Sequence, residues 1–139
     1  MERYLRNIAI KEIGPSGQER ICTARVLICG CGGLGAGVIS TLAAAGVGHI
    51  GLVDNDVIEE SNFNRQFIHK TEDIGKLKVL SAKARIKEIN PEILVDTFAM
   101  RLDETNYRDV VKDYDVIVDC FDSYRSKFLL NEISVKTDK

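Results

Sequence analysis

The sequence predicts an α/β protein of Rossmann-like architecture, a mostly parallel sheet with flanking helices. Three observations lead there. Four short apolar runs alternate with segments of helical period. A glycine-rich turn, Gly30-Cys-Gly-Gly-Leu-Gly35, joins the first run to the first such segment, and Asp54 closes the second run 19 residues after Gly35.

The elements follow in chain order. Ser16 to Ala24 is expected to form an N-terminal helix. Arg25-Val-Leu-Ile-Cys-Gly30 is a short apolar run ended by glycine, which suits a buried strand. Leu34, Val38, Leu42 and Ala45 then recur at helical spacing, with Gly46 as the stop. His49-Ile-Gly-Leu-Val-Asp54 is the second strand. A helix is predicted over Gly75 to Asn90, where Val79, Ala82, Ile86 and Ile89 share a stripe and Lys83 and Lys87 lie off it. It ends at Asn90-Pro91, because proline pushes the preceding residue out of helical conformation. Ile93 to Phe98 is a third, more weakly alternating strand, and Asp103 to Lys112 a shorter helix. Asp115-Val-Ile-Val-Asp119 is β-branched with a carboxylate at each end and makes the fourth strand. Ser123 is an N-cap for a last helix whose Phe128, Leu129 and Ile133 are expected to face the sheet. Pro15 and Pro91 fall between predicted elements. Strands joined by helical crossovers run parallel, and such sheets bind ligands outside the carboxyl ends of their strands.

Composition narrows the function classes. At 139 residues, with 45% hydrophobic and 29% charged residues, one globular core forms without metal or disulfides. The formal net charge of −2 supplies no basic field, so neither nucleic acid nor an anionic membrane is expected as the main partner. No apolar run approaches the ~20 residues of a membrane span, and Met-Glu-Arg-Tyr is no signal-peptide start, so a cytoplasmic chain is expected. Cys22, Cys29, Cys31 and Cys120 contain no Cys-x-x-Cys pair and are expected to be reduced and mostly buried.

The chemistry concentrates at the carboxyl ends of the strands. In the glycine turn, Gly30 permits the tight turn, Gly32 and Gly33 let backbone approach a phosphate, and Gly35 lets helix pack on strand. The helix N-terminus then offers free N–H groups to an anion. Asp54 would accept from ribose hydroxyls, which suits NAD and ATP alike. The following loop, Asp54 to Phe67, separates the two readings, because Asp56, Asn62, Arg65 and Gln66 have no task in an ordinary dinucleotide fold. Arg65 is a planar bidentate donor for phosphate oxygens and Asn62 adds an amide. Lys78, more than Lys76, is expected to meet phosphate. Asp119 and Asp122 flank the end of the fourth strand, where carboxylates suit Mg²⁺ shared with phosphates. ATP brings a charge of about −4, more than the roughly half a unit of a helix dipole offsets, so Arg65, Lys78 and Mg²⁺ form a sensible set.

These residues resemble the ubiquitin-activating-enzyme-like superfamily in its bacterial ThiF/MoeB/HesA branch. The match runs along nearly the whole chain: Arg3-Tyr4 with Arg6, Gly14-x-x-Gly17-Gln18, Gly30-x-Gly-Gly-Leu-Gly35, Ala45-Gly-Val-Gly48, Asp54-x-Asp56, Ser61-Asn62-x-x-Arg65-Gln66, Gly75-Lys-x-Lys78, Asn90-Pro91 and Asp119-x-x-Asp122. The resemblance implies an adenylyltransferase that activates the C-terminal glycine carboxylate of a ubiquitin-like sulfur-carrier protein ending in Gly-Gly. The carboxylate attacks the α-phosphorus of MgATP, giving an acyl-adenylate and pyrophosphate. By the family pattern Asp54 binds ribose, Asn62, Arg65 and Lys78 hold phosphates, Asp122 binds Mg²⁺, and Arg6 reaches the triphosphate of a neighbouring subunit, which implies a homodimer. Ser123 and Lys127 stand where the family has asparagine and arginine. The resemblance divides the chain into an N-terminal helical segment, 1–24, contributing to the dimer and ATP site, and a Rossmann-like ATP-binding region, 25–139. It also implies that this is the N-terminal ATP-binding half of a larger domain, with any zinc pair or acceptor cysteine in the other half and Cys120 merely packed. Two other readings remain from the residues: an NAD-binding oxidoreductase or sensor module, and a related adenylating enzyme acting on tRNA or a peptide.

Overall fold

A computed structural model describes residues 2–139. After a 3-10 turn at Glu2–Tyr4 the elements are α1 (Leu5–Ile8), α2 (Gly14–Thr23), β1 (Arg25–Cys29), α3 (Gly33–Ala45), β2 (His49–Val53), α4 (Lys78–Ile89), β3 (Leu94–Phe98), α5 (Tyr107–Val111), β4 (Val116–Asp119) and α6 (Tyr124–Thr137). The four strands form one sheet, all parallel, in the order β3-β2-β1-β4. The chain therefore moves outward from β1 through β2 to β3, then returns to the other side of β1 for β4. That reversal leaves a crevice at the carboxyl ends of β1 and β4.

Alternation along β1 sorts two cores. Val26 and Ile28 point to one face and pack with Ile39 and Ala43 of α3 and Val79, Ala82 and Ile86 of α4. Leu27 and Cys29 point to the other, against Tyr107, Val110 and Val111 of α5 and Leu130 and Ile133 of α6. All four cysteines are free, with Cys29, Cys31 and Cys120 buried. Among the described residues, no helix is long and apolar enough to cross a membrane.

Several expectations change in detail. The buried face of α3 is Gly35, Ala36, Ile39 and Ala43, one residue round from the predicted stripe, and Leu34 is 58% exposed. The cause is close packing: a Cβ at Gly35 would lie 2.1 Å from the Gly30 carbonyl oxygen, so the glycine edge, not the bulkier Leu34, meets the strand. Phe128 likewise points outward, 70% exposed, while Leu130 and Ile133 fill the interface. In α5 the first turn is lost because Asp103 Oδ1 accepts from the N–H groups of Thr105 and Asn106, closing a local turn that competes with helix. Helix α4 starts at Lys78, since Gly75 has φ of 84° and Leu77 makes an antiparallel bridge with Val57. Pro15 lies inside the first turn of α2, where its missing N–H costs no hydrogen bond.

The N-terminal segment docks at the far end of α3. Gly46 ends that helix at φ 88°, and a Cβ there would strike the Tyr4 ring at 2.4 Å. Fully buried Gln18 donates to the Ala45 carbonyl at 2.9 Å and accepts from Asn7, while Asn90 donates to Tyr4 Oη at 2.7 Å. By contrast Gly37, in the middle of α3, faces open space, with nothing within 4 Å of where a Cβ would stand. Gly37→Ala is therefore expected to stabilise the fold by about 0.5–1 kcal/mol, through the helical preference for alanine. Urea unfolding of the two chains checks the sign.

Candidate functional site

A cleft of about 890 Å³ lies over the carboxyl ends of β1, β2 and β4. Its floor is the glycine turn. Gly30 leaves β1 at φ 109°, and a Cβ there would sit 2.6 Å from the Cys120 carbonyl oxygen, so β1 and the segment after β4 meet only across glycine. Gly32 caps α3 without any side-chain hydrogen bond. The first-turn amides of α3 therefore remain available to an anion along the helix axis.

Asp54 stands beside this floor with its carboxylate fixed by two backbone donors. The Cys31 N–H gives to Oδ2 at 2.8 Å and the Asp56 N–H to Oδ1 at 2.8 Å. Each oxygen keeps a lone pair for a hydroxyl. Asn62 is buried and spends its Oδ1 on the Glu59 N–H at 3.0 Å, which leaves its NH₂ as the group for a ligand. Gln66, 4% exposed, lies against Gly32, and its Oε1 is buried without a hydrogen-bond partner. Arg65 lays its stem along Gly33 and anchors one nitrogen to Ser61 O and Asn64 Oδ1, with the guanidinium exposed at the rim.

Lys78 is the least expected side chain to find in this state. It is 6% exposed, yet its ammonium reaches the cleft and pairs with Asp56 Oδ2 at 3.1 Å. Two backbone ties hold the pair: Lys78 N–H to Asp56 O at 3.0 Å and Ile58 N–H to Lys76 O at 2.9 Å. Burying an ammonium is unfavourable without a counter-charge, so the site is built to receive negative charge.

The structure thus brings Gly30, Gly32, Gly33, Asp54, Asp56, Asn62, Arg65, Gln66, Lys78 and Asp122 around one cleft. Gly35 works behind it, at the helix–strand contact. Arg6 is not among them: its segment packs at the C-terminal end of α3, and a 13-residue helix puts about 20 Å between that end and the cleft. The two carboxylates after β4 also part company. Asp122 is exposed in the cleft, whereas Asp119 turns to a small hollow beside α6, accepts from the Phe121 N–H and pairs with Lys127 at 3.3 Å. Lys76 is exposed and paired with Asp73 at 2.8 Å, away from the cleft.

Sequence reading missed the apolar end of the cleft, where Met100, Leu102, Phe121 and Leu129 meet Arg101 and Ser126. The signal was present, since Met100 to Leu102 follow β3 after a single intervening residue, as Phe121 follows β4. The surroundings of the thiols near the floor favour their neutral form. Burial pushes Cys31 well above its ordinary value, with Asp54 adding to the effect, and burial and Asp119 raise Cys120.

Under the floor, buried His69 joins the glycine turn to α4. Its Nε2 is 3.0 Å from Cys31 O and its Nδ1 3.0 Å from Ser81 Oγ, which in turn lies 3.1 Å from Asp73 Oδ2. Burial holds His69 below its ordinary value, and the charge of Lys78 acts in the same direction. The unfolded chain then binds more protons below pH about 6.5, so stability is full above that pH and is lost as pH falls through the depressed value. Urea unfolding at pH 7.5 and 5.5 should show this loss, and His69→Gln should reduce it.

Known proteins share this fold. The model of the ThiF family matches residues 4–139. The SAMP-activating enzyme E1 of Haloferax volcanii is 43% identical over 133 residues, which is 96% of this chain and 49% of that protein. The sulfur carrier protein adenylyltransferase of Thermus thermophilus is 39% identical over 139 residues, 100% of this chain and 51% of that protein. Among solved structures, E. coli MccB with ATP superposes at a TM-score of 0.89 with 31% identity, covering 100% of this chain and 43% of that one. E. coli tRNA N6-threonylcarbamoyladenosine dehydratase, TcdA, with ATP does so at 0.90 with 27% identity, over 99% and 56%. The chain spans about half the length of these curated relatives.

Proposed function

The chain belongs to the ThiF family, and from that membership we propose that it is the ATP-binding part of an adenylyltransferase that activates the C-terminal glycine of a ubiquitin-like sulfur-carrier protein. The observation that carries this reading is buried Lys78, held at the cleft beside Asn62, Gln66 and the free amides of α3. A single bridging pyrophosphate, as in NAD, needs only the glycine turn and Asp54. A triphosphate accounts for Arg65 and Lys78 as well.

In this reading Asp54 holds the ribose hydroxyls, and the apolar end of the cleft at Met100, Leu102 and Phe121 takes the base. The amides of α3, Asn62, Arg65 and Lys78 surround the phosphates. A carrier carboxylate oxygen attacks the α-phosphorus, the bond to the bridging oxygen breaks, and pyrophosphate leaves with the electron pair. No side chain need act as nucleophile. The chain orients the triphosphate and stabilises charge that grows on the phosphoryl oxygens. Asp122, in the cleft, would hold Mg²⁺, which would supply positive charge to the phosphates.

Residues 1–24 would serve a neighbouring copy rather than their own cleft, because Arg6 is exposed and lies far from it. The family resemblance supports a homodimer in which Arg6 crosses to the partner's phosphates, and analytical ultracentrifugation tests the dimer. A second reading keeps the ATP chemistry but changes the acceptor to a tRNA or peptide, favoured by the likeness to TcdA and MccB. The carrier reading is preferred because the relatives named as a sulfur carrier protein adenylyltransferase and a SAMP-activating enzyme share 39% and 43% of residues with the chain, against 26–32% for those structures. Pyrophosphate exchange into ATP is the test, with the complete protein. Exchange that depends on a carrier ending in Gly-Gly supports the reading, and exchange driven by a tRNA or peptide instead transfers the activity to that acceptor.

A further inference from the structure

We propose that His69 is a positioning residue for the nucleotide site, tying the glycine turn to the helix that carries Lys78. The inference rests on the ATP-binding reading for its functional consequence, though not for its geometry. His69 touches no cleft surface. It is 5% exposed, as is Ser81 at 6%, and it lies between the two elements that supply the positive side of the cleft.

The proton count assigns its tautomer. The Cys31 carbonyl only accepts, so Nε2 carries the hydrogen and donates to it. Nδ1 is then left with a lone pair in the neutral ring, and Ser81 has one hydroxyl hydrogen to give, to Nδ1 or to Asp73 Oδ2. Cys31 is the residue whose N–H also fixes Asp54. One peptide on each side of Cys31 is therefore restrained, its amide by the ribose-facing carboxylate and its carbonyl by His69. At the other end Ser81 stands one helical turn beyond Lys78 on α4, so the imidazole sets the distance between the amides of α3 and the Lys78 ammonium. A triphosphate bridging both would be sensitive to that distance.

Protonation adds a signature. The groups facing His69 are Lys78, which with burial opposes a charge on the ring, and Asp54, Asp73 and the Cys31 carbonyl, which favour it. On protonation Nδ1–H donates to Ser81 Oγ and Ser81 passes its own hydrogen to Asp73, so every bond in the chain stays made. A bound polyanion favours that state, and binding then draws a proton onto His69 as the pH falls.

The experiment uses His69→Gln, whose amide NH₂ replaces the Nε2 donor, His69→Leu, which has no donor, and the milder Ser81→Ala. MgATP binding by calorimetry at pH 7.5 is expected to weaken at least ten-fold in His69→Leu, three- to five-fold in Ser81→Ala, and by less than three-fold in His69→Gln. Between pH 7.5 and 5.5 the affinity ratio of wild type to His69→Gln should rise several-fold. Amide hydrogen exchange at Cys31, whose N–H is held by Asp54, and at Ala36, whose N–H is held by the Gly32 carbonyl, measured without nucleotide, should quicken at least ten-fold in His69→Leu or Ser81→Ala and stay near wild type in His69→Gln. Equal exchange in all chains, or equal losses of affinity in His69→Gln and His69→Leu, overturns the proposal. Should the wild-type chain bind no MgATP, the ATP reading fails and the exchange result alone decides the role of His69. If His69→Leu does not fold, Ser81→Ala and the pH-dependent ratio decide it.

Discussion

Lys78→Ala is expected to lower carrier-dependent pyrophosphate exchange by about 10²–10³-fold, the loss typical of removing one preorganised charge from a phosphoryl transition state. Its effect on folding should be small, for a reason visible in the asymmetry of its ion pair. The Lys78 side chain is 8% exposed and that of Asp56 61% exposed. Removing the lysine leaves a carboxylate that water already solvates. Removing the aspartate leaves a buried ammonium without its counter-charge, so Asp56→Ala should cost on the order of 1 kcal/mol of stability, less than a fully buried pair would because water reaches one partner. The two variants thus separate function from folding at one contact. Exchange kinetics and urea unfolding on the same preparations check both, and a wild-type exchange rate in Lys78→Ala removes that residue from the machinery.

Gly35→Ala is expected to destabilise the fold by about 3 kcal/mol and to abolish measurable nucleotide binding. The added Cβ would lie 2.1 Å from the Gly30 carbonyl oxygen and 2.9 Å from its carbon. These are backbone atoms of the turn itself, so no side chain can swing away to relieve the contact. Helix α3 must back off from β1, carrying the first-turn amides out of line with the cleft and loosening the packing of Ala36, Ile39 and Ala43 behind them. Gly37→Ala, two residues on in the same helix, is the internal control, because it changes the same chemical group where there is open space. Thermal or urea unfolding that shows the two variants alike would mean the glycine turn has no special closeness.

Much of the sheet was readable in the sequence. All four strands fall within the predicted apolar runs, and Gly46 and Ser123 mark the helix ends they were expected to mark, Ser123 by accepting from the Ser126 N–H. The cleft residues were readable too, since parallel strands send their following residues to one edge, and Gly30, Asp54 and Asp122 each follow a strand. What failed was the rotation of helices about their axes. Helix α3 is apolar nearly all round, so the stripes at Leu34 and at Gly35 are equivalent by pattern, and only the space left beside Gly30 chooses between them. Phe128 was misplaced for the same reason, because Phe128, Leu129 and Leu130 are consecutive and the sheet accepts only what its surface matches. The Asp103 turn illustrates a third cause, a side chain capturing backbone amides that the helix would have used.

From the sequence by itself came the element types, the parallel sense of the sheet, the glycine turn and the acids that close the strands, all properties of short segments with their own period and conformational limits. Only the tertiary structure decided which of them meet. It sent Asp119 to Lys127 and Asp122 to the cleft, set Arg6 at the wrong end of α3 for its own site, buried Lys78 against Asp56, and placed His69 between Cys31 and Ser81. These meetings depend on β1 lying between β2 and β4 and on how closely each crossover helix approaches the sheet. Such contacts join residues from 8 to 38 positions apart, and no local periodicity encodes them.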